Sequence, residues 1–298
     1  MQSHWYVLAL GLTLLGRFDE LDECVHAALA STHVLAIQRH YQGGLLSLAA
    51  VVAAWQGRPG YARTLAMQGS ALGAGQGPFP AMIPGALLTL TDGGDDVDQA
   101  DVLWRAARHA LDGGYVAAGA LCAAASVELK PDPGRAAVVE DAARGADSPL
   151  VLAWTQYVLA AAHGDVQALA AASVALDRAG TPLYSVRALV TRALALRERD
   201  DAVAARAQAD AAWVAAGERG VDRRGLFTRL VRSVNLTARE SEVAELVSAQ
   251  RPNAEIARTL GLSTRTVETH LMNTHRKVGV VNRDDLAHAV RTWLTRVP

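Results

Sequence analysis

Turn-forming residues recur at nearly regular intervals through the first two-thirds of this 298-residue chain. They stand at Gly16-Arg17, Gly57 to Gly60, Gly93-Gly94, Pro131 to Gly134, Gly164-Asp165 and Asp200-Asp201, at spacings of 31 to 41 residues. Between them, hydrophobic residues recur near the 3.6-residue period of a helix packed on one side. Because each interval is long enough for two helices, the pattern predicts stacked helical hairpins.

Alanine dominates the same region and bears on the class of secondary structure. The chain contains 59 alanines and only 5% aromatic residues, and alanine favours helices over strands. A repeat of this length with two helices per unit is typical of an α-solenoid of the tetratricopeptide kind. We therefore expect an all-α chain in which residues 1–218 form about six tetratricopeptide-like hairpins. The concave surface of such an array suits an unknown small-molecule or protein effector.

The charge of the chain is divided between its two ends. The whole chain has a formal charge of −1, yet residues 219–298 carry a net +6 and residues 1–218 a net −7. Gly217, Gly220 and Gly225 interrupt an arginine-rich run, so we place a basic linker at 219–234 and a second domain at 235–298. A basic end on an acidic body predicts an anionic partner for that end.

Cysteine usage and hydropathy favour a cytoplasmic protein without a membrane partner. Cys24 and Cys122 are the only cysteines, too few for a disulfide framework or a zinc site. Acids rather than a cleavage site follow the N-terminal apolar run 7–15, which disfavours a signal peptide. The longest apolar stretch, 43–55, is shorter than the roughly 18 residues of a membrane span.

The C-terminal region carries start and stop signals for four short helices. Thr237, followed three residues later by Glu240, is a capping box. Further caps are predicted at Asn253, Ser263 and Asn282, and left-handed stops at Gly261 and Gly279. A three-residue turn, 261–263, joins the middle two helices, which is what a helix-turn-helix motif requires.

The third of these helices, residues 264–278, has two different faces. Val267, Leu271, Thr274 and Val278 recur at helical spacing and are predicted to face the core. The opposite face carries Arg265, Glu268, Thr269, Met272 and Arg276. Such side chains can bond base edges and phosphates, and the free N–H groups at the helix N-termini also suit phosphate.

The ordered strings of this region resemble a known family. They are Leu236 to Glu240, Asn253 to Ala257, Leu260 to Ser263, Thr266 to Leu271, Asn273, Lys277 to Val280, and Asn282-Arg283. In this order and spacing they are similar to the LuxR-type DNA-binding domain of bacterial transcription regulators. The resemblance implies a four-helix module whose third helix enters the major groove of double-stranded DNA. It also implies a homodimer, paired through the fourth helix on an inverted repeat, and admits RNA polymerase as a further partner.

Residue roles follow from the faces and from the resemblance together. The predicted base-reading residues are Arg265, Glu268, Thr269 and Met272. The predicted phosphate contacts are Asn253, Ser263, Thr264, Thr266, Arg276 and Lys277, and the predicted dimerisation residues are Leu286, Ala287 and Val290. Two positions depart from the commonest pattern of the family. Pro252 stands where a small capping residue is usual, and His275 stands where an aliphatic residue usually packs.

A repeat array followed by such a module also resembles the C-terminal part of the large ATP-binding LuxR-type regulators. Lys130 and Lys277 are the only lysines, and neither follows a glycine-rich loop as a phosphate-binding loop requires. The glycine-rich run 69–77 lacks a following lysine. The ATPase function therefore does not carry over, and the chain is either a fragment of such a regulator or a separate relative without the motor.

The C-terminal module and one acidic loop also admit different interpretations. A sigma-factor recognition domain shares the capping box, and the module could serve protein contacts or dimerise an interaction scaffold. Four acids around Gly93-Gly94, namely Asp92, Asp95, Asp96 and Asp98, fit a helix-capping loop better than the twelve-residue calcium loop. We expect no enzyme, no cofactor and no metal site, and a sequence-specific transcription regulator is the favoured interpretation.

Overall fold

The computed structural model describes residues 2–30, 39–72 and 96–294, and these residues contain sixteen α-helices and no strand. The first eleven are α1 Gln2–Leu15, α2 Phe18–Ala30, α3 Arg39–Trp55, α4 Pro59–Ala71, α5 Asp96–Asp112, α6 Val116–Leu129, α7 Pro133–Ala142, α8 Pro149–Ala162, α9 Val166–Arg178, α10 Pro182–Glu198 and α11 Ala202–Glu218. The last five are α12 Thr228–Val234, α13 Ala238–Ser248, α14 Asn253–Leu260, α15 Thr264–Val278 and α16 Arg283–Arg291. The all-α prediction is confirmed.

The chain divides into two compact units. Unit 1 contains residues 1–188 and 216–225, and unit 2 contains residues 189–215 and 226–298. The division therefore places most of the last array hairpin, α10–α11, in the unit of the C-terminal helices. The domain boundaries predicted from the sequence, with a linker at 219–234, are not tested by this division and stay a prediction.

Unit 1 is built from antiparallel helix pairs, α1–α2, α3–α4, α5–α6 and α8–α9, and neighbouring pairs stack through α1 on α3 and α6 on α8. The turns at Gly16, Gly57 and Gly164 adopt the left-handed conformation that favours glycine, which confirms those predicted turns. The turn 131–134 instead leads into the short helix α7. A turn at Gly113-Gly114, not among the predicted ones, joins α5 to α6, and the predicted turn at Gly93-Gly94 lies outside the described residues.

The first residues of the predicted linker are bound to the first two hairpins of unit 1. The backbone N–H of Asp222 donates to the Gly16 carbonyl at 2.9 Å, and Arg224 pairs with Asp19 at 2.6 Å. Gly225 lies so close to the Trp55 carbonyl that any side chain there would overlap it. Residues 222–225 are therefore anchored in unit 1.

Unit 2 has one apolar core, to which seven helices contribute. Its members include Val190, Ala193, Ala209 and Ala212 of the α10–α11 hairpin, together with Phe227 and Leu230, Val243 and Val247, Ile256, Val267 and Val278, and Leu286 and Trp293. The rings of Trp213 and Phe227 lie 5.4 Å apart. The hairpin and the C-terminal helices thus bury their apolar side chains in one shared core. Such burial is the main favourable contribution to folding.

Two further observations concern the described part of the chain. None of its helices is long and apolar enough to cross a membrane. Within the same residues, no three His, Cys, Asp or Glu side chains come together where they could hold a metal ion. The acidic loop at 92–98 and most of the glycine-rich run 69–77 lie outside the residues whose side chains are described.

Candidate DNA-binding surface

The capping box fixes the start of α13, the first of the four helices predicted in the C-terminal region. The Thr237 hydroxyl accepts from the Glu240 N–H at 3.2 Å, and the Glu240 carboxylate accepts from the Thr237 N–H at 2.8 Å. Both orphan N–H groups are thereby satisfied. The buried side of α13, Val243, Ala244 and Val247, faces the core, so the predicted start of this helix is confirmed.

The second helix, α14, starts differently from the prediction. Its N-cap residue is Pro252, which offers no side-chain cap, and Asn253 is the first helical residue instead. The Asn253 amide oxygen accepts from Arg283 at 3.0 Å, which joins the start of α16 to the start of α14. The cap predicted at Asn253 is therefore wrong, because proline occupies the capping position and the amide oxygen bonds elsewhere.

The predicted turn between α14 and α15 is present. Gly261 ends α14 in the left-handed conformation at φ 66°, and the Leu262 N–H returns to the Ala257 carbonyl at 2.8 Å. The Ser263 hydroxyl caps α15 by accepting from the Thr266 N–H at 3.1 Å. These bonds fix the angle at which α15 leaves the turn, and the predictions of the stop and the cap are confirmed.

The N-terminal end of α15 is exposed beside this cap. Ser263 and Thr264 are exposed and Thr266 is half-buried. The hydroxyl groups of Ser263 and Thr266 lie 2.8 Å apart and share a hydrogen bond. Hydroxyl groups and free backbone N–H groups at a positive helix end form a surface that suits a phosphate.

The two faces of α15 differ as predicted. Val267, Leu271, Thr274 and Val278 are buried. On the opposite face, Arg265, Glu268, Thr269 and Met272 are all exposed, and Met272 keeps 65% of its surface accessible. A methionine so exposed on an otherwise well-packed unit has no role in the core. The four predicted base-reading side chains therefore form one continuous exposed surface.

The two cations in the last turn of α15 have different surroundings. Arg276 is exposed, and no ion pair holds it within the described residues. The Lys277 ammonium donates to the Glu240 carboxylate at 2.7 Å and to the Asn235 carbonyl at 3.0 Å. Burial raises the pKa of Glu240, but the hydrogen bonds from Lys277 and Thr237 outweigh this and leave it below its ordinary value. Arg276 is free to meet a phosphate, whereas Lys277 joins α15 to α13.

His275 is half-buried and precedes these two cations along the helix. Its Nε2 atom is shielded from water without a hydrogen-bond partner among the described residues. Burial lowers the pKa of this imidazole, and the charge of Arg283 lowers it further. The ring therefore does not turn to the surface. It occupies the position of the usual aliphatic side chain only in part, because it is half-buried and keeps a nitrogen that is unpaired within the described residues.

The predicted dimerisation residues lie inside unit 2. Leu286 and Ala287 are fully buried, and Val290 keeps only 7% of its surface. Val290 lines a cavity of about 650 Å³ among α12, α13 and α16. In this chain their side chains pack in the apolar core of unit 2. The exposed residues of α16 are Asp284, His288 and Arg291.

Several residues that contact the helices of this surface could not be identified from the sequence. Arg197 of α10 donates to the Lys277 carbonyl at 3.0 Å, and the Trp293 indole donates to Asp210 of α11 at 2.7 Å. The two members of each pair are separated by 80 and 83 residues. Since Arg197 and Asp210 belong to the alanine-rich hairpins, nothing in their local sequence assigns them to the C-terminal helices.

Comparison with known proteins agrees with this geometry. Residues 234–290 match the family described as bacterial regulatory proteins, luxR family. These residues form a luxR-family helix-turn-helix domain. The resemblance inferred from the sequence is confirmed for this domain. No solved structure matches the chain.

Three curated relatives are similar to a short part of the chain. The chain is 46% identical over 59 residues to the monoamine regulon transcriptional regulator of Klebsiella aerogenes, covering 20% of this chain and 25% of that protein. It is 47% identical over 45 residues to the transcriptional regulatory protein MctR of Rhizobium johnstonii, covering 15% and 21%. It is 49% identical over 45 residues to the uncharacterized response regulatory protein YgeK of Escherichia coli K12, covering 15% and 31%. The chain thus spans between a fifth and a third of the length of these relatives.

Proposed function

We propose that this chain is a sequence-specific DNA-binding regulator of transcription that reads the major groove with α15. The observation that carries the proposal is the exposed surface of Arg265, Glu268, Thr269 and Met272 on a helix whose other face is buried. Arginine and glutamate suit guanine and cytosine edges respectively, and apolar groups suit the thymine methyl group. The luxR-type domain and the names of two relatives, both transcriptional regulators, support the same function.

Phosphate contacts would set the position of the helix on the duplex. We assign this role to Ser263, Thr264 and Thr266 at the N-terminal end of α15, to Asn253 at the start of α14, and to Arg276 near the C-terminal end of α15. Contacts to phosphate position a protein without reading sequence. We assign Lys277 a supporting role, because its ammonium group is bound to Glu240 and Asn235.

We further propose that two copies bind an inverted repeat through α16. Asp284, His288 and Arg291 form the exposed side of this helix at helical spacing. In a two-fold pair, when one residue contacts a second residue of the other copy, the reverse contact forms as well. Two antiparallel α16 helices crossing at His288 would place Asp284 of each copy beside Arg291 of the other. Leu286, Ala287 and Val290 would support this surface from behind.

The input to the regulator is assigned to the helical hairpins of unit 1. We propose that they bind a small-molecule or protein effector, because stacked hairpins offer extended surfaces for such partners. The effector would act by shifting the population of chains that can bind DNA. RNA polymerase is the partner through which a bound regulator would act on transcription.

A selection experiment tests the DNA-binding proposal. The full chain is incubated with random-sequence duplexes, and the enriched sequences are measured at salt concentrations between about 50 and 200 mM. We expect a common inverted-repeat motif, and a linear fall of log affinity with log salt as counterions are released. An interaction scaffold whose C-terminal helices only dimerise would enrich no motif. That result, or binding without salt dependence, would contradict the proposal.

A further inference from the structure

The C-terminal end of α15 is bonded by residues outside the luxR-type domain. The last carbonyl groups of any helix lack partners within the helix. Here the Gly279 and Val280 N–H groups both donate to the His275 carbonyl, at 2.8 and 3.0 Å. The Lys277 carbonyl instead accepts from the Arg197 guanidinium at 3.0 Å.

Arg197 bonds two helix ends at once. Its other terminal nitrogen donates to the Ser233 carbonyl in the last turn of α12, at 3.2 Å. The guanidinium group therefore bridges the C-terminal ends of α12 and α15, where a positive charge also meets the negative ends of both helix dipoles. The planar fork of a guanidinium group joins two acceptors with a fixed geometry that a flexible ammonium group does not impose.

Two further contacts join the α10–α11 hairpin to the same end of the domain. Gly279 ends α15 at φ 84°, and a methyl group built on it would overlap the carbonyl of Ala202 at the start of α11. The Trp293 indole, just beyond α16, donates to Asp210 of α11 at 2.7 Å. The position of α15 relative to the hairpin is thus fixed by the Arg197 hydrogen bond, by the close approach of Gly279 to Ala202 and by the shared apolar core.

We propose that Arg197 is a positioning residue for DNA reading, and that the α10–α11 hairpin sets the angle of α15. The proposal rests on the function proposed above. Thr269 lies eight residues before Lys277, about 12 Å along the helix axis. A tilt of about 5° at Lys277 would move Thr269 by about 1 Å, more than the roughly 0.5 Å range of good hydrogen-bond distances. A small shift of the hairpin therefore decides whether α15 can read bases.

Substitution of Arg197 tests the proposal in the full chain. In Arg197→Ala we expect affinity for the selected motif to fall about tenfold, the effect of about one lost base contact, because α15 is no longer held at the angle that reads bases. Affinity for random DNA and the slope of log affinity against log salt should stay unchanged, because Arg197 does not touch phosphate. Arg197→Lys should give an intermediate loss, since one ammonium cannot match the fork. Arg178→Ala, an exposed arginine of α9, gives the same change in charge as a control.

The inference is overturned if Arg197→Ala binds the motif as the wild type does. It is also overturned if affinity for motif and random DNA falls equally, which would indicate a direct phosphate contact. A second measurement does not depend on DNA. Amide hydrogen exchange at Gly279 and Val280 should be faster in Arg197→Ala than in the wild type, and unchanged exchange would overturn the inference even if the wild type bound no DNA. Failure of the wild type to bind DNA would by itself contradict only the proposed function.

Gly279→Ala supplies an independent variant at the same contact. Its matched control is Gly180→Ala, because Gly180 also follows the end of a helix in the left-handed conformation but has open space around it. Both variants lose the conformational freedom of glycine, yet only Gly279→Ala also meets Ala202. We expect a larger loss of motif binding and a larger increase in exchange at Val280 in Gly279→Ala. Equal effects of the two variants would contradict the fixed approach of α11 to α15.

Discussion

The Lys277 ammonium of α15 lies 2.7 Å from the Glu240 carboxylate of α13. Glu240 keeps only 5% of its side chain accessible and Lys277 keeps 27%. The same carboxylate completes the capping box with the Thr237 N–H. One buried acid therefore both starts α13 and joins it to the C-terminal end of α15, so the stability of the surface depends on its charge.

Removing the charge of Glu240 should destabilise the chain in a pH-dependent way. In Glu240→Gln we expect the free energy of unfolding at pH 7 to fall by about 1.5–3 kcal/mol, because the charge-assisted bond with Lys277 is lost. The folded pKa of Glu240 lies below its ordinary value. Its contribution is therefore fully present above the unfolded pKa, near about 4.3, and is lost as pH falls through the lower folded pKa. Urea unfolding at pH 7, 5 and 3.5 measures the difference.

Glu242→Gln is the control for that series. Glu242 belongs to the same helix and pairs with Arg239, but both side chains are about half exposed. Such surface pairs contribute up to about 1 kcal/mol. A loss in Glu240→Gln that is the same at pH 3.5 and pH 7 would contradict the role assigned to its charge.

Arg276 and Lys277 should give opposite results although they are neighbours. Arg276→Gln should weaken binding to all sequences about equally and reduce the salt slope by about 1, because one phosphate contact is lost. Lys277→Gln should leave the slope nearly unchanged and lower the free energy of unfolding instead. Salt titrations of DNA binding, together with urea unfolding, separate the two effects. If both variants reduced the salt slope equally, the Lys277 ammonium would have to release Glu240 and bind a phosphate when DNA is present.

Local signals in the sequence predict most of this domain. Caps and stops such as Thr237, Ser263 and Gly261 act on residues at most a few positions away, so their spacing defines the helices directly. The faces of α15 are likewise predictable, because Val267 and Val278 follow the helical period. These features need no information about the rest of the chain.

Contacts between distant segments could not be predicted in the same way. Pro252 displaces the cap from Asn253, whose amide then meets Arg283, thirty residues further on. Arg197 reaches Lys277 across 80 residues. The burial of Leu286 likewise depends on which helices cover α16. Each of these outcomes is decided by tertiary packing, which no local pattern encodes.

Replacing His275 with leucine should stabilise the chain. The imidazole has a buried nitrogen without a partner among the described residues, and an unsatisfied buried polar atom costs about 1–3 kcal/mol. The folded pKa is lowered, while the unfolded chain titrates near about 6.5. The wild type should therefore lose stability as pH falls below about 6.5, and His275→Leu should not. Urea unfolding at pH 7.5 and 5.5 tests this.

The same substitution at His163, an exposed residue just after α8, is the control. It should change the free energy of unfolding by less than about 0.5 kcal/mol. The free energy of unfolding of His275→Leu could fall between pH 7.5 and 5.5 by as much as that of the wild type. In that case a group other than His275 would cause the pH dependence.

Charge exchange on α16 tests the proposed dimer. Asp284→Arg alone and Arg291→Asp alone should each weaken cooperative binding to the two half-sites, by about two- to tenfold, because like charges then meet across the two-fold axis. The double variant Asp284→Arg with Arg291→Asp should restore cooperativity. Binding to duplexes with one or two half-sites measures it. A double variant no better than either single one would exclude this pairing of the helices.

A comparison of sequence preferences shows whether the exposed face of α15 reads bases. Selections from random duplexes are run with the wild type, Thr269→Ala and Met272→Ala. The control is Met67→Ala, which removes a methionine of α4 that is 69% exposed, close to the 65% of Met272. We predict that each α15 variant loses discrimination at its own base pairs by about 1–3 kcal/mol, with an unchanged salt slope, and that Met67→Ala selects the wild-type motif. If the variants of Thr269 and Met272 select the wild-type motif with undiminished discrimination, the exposed face of α15 does not read bases.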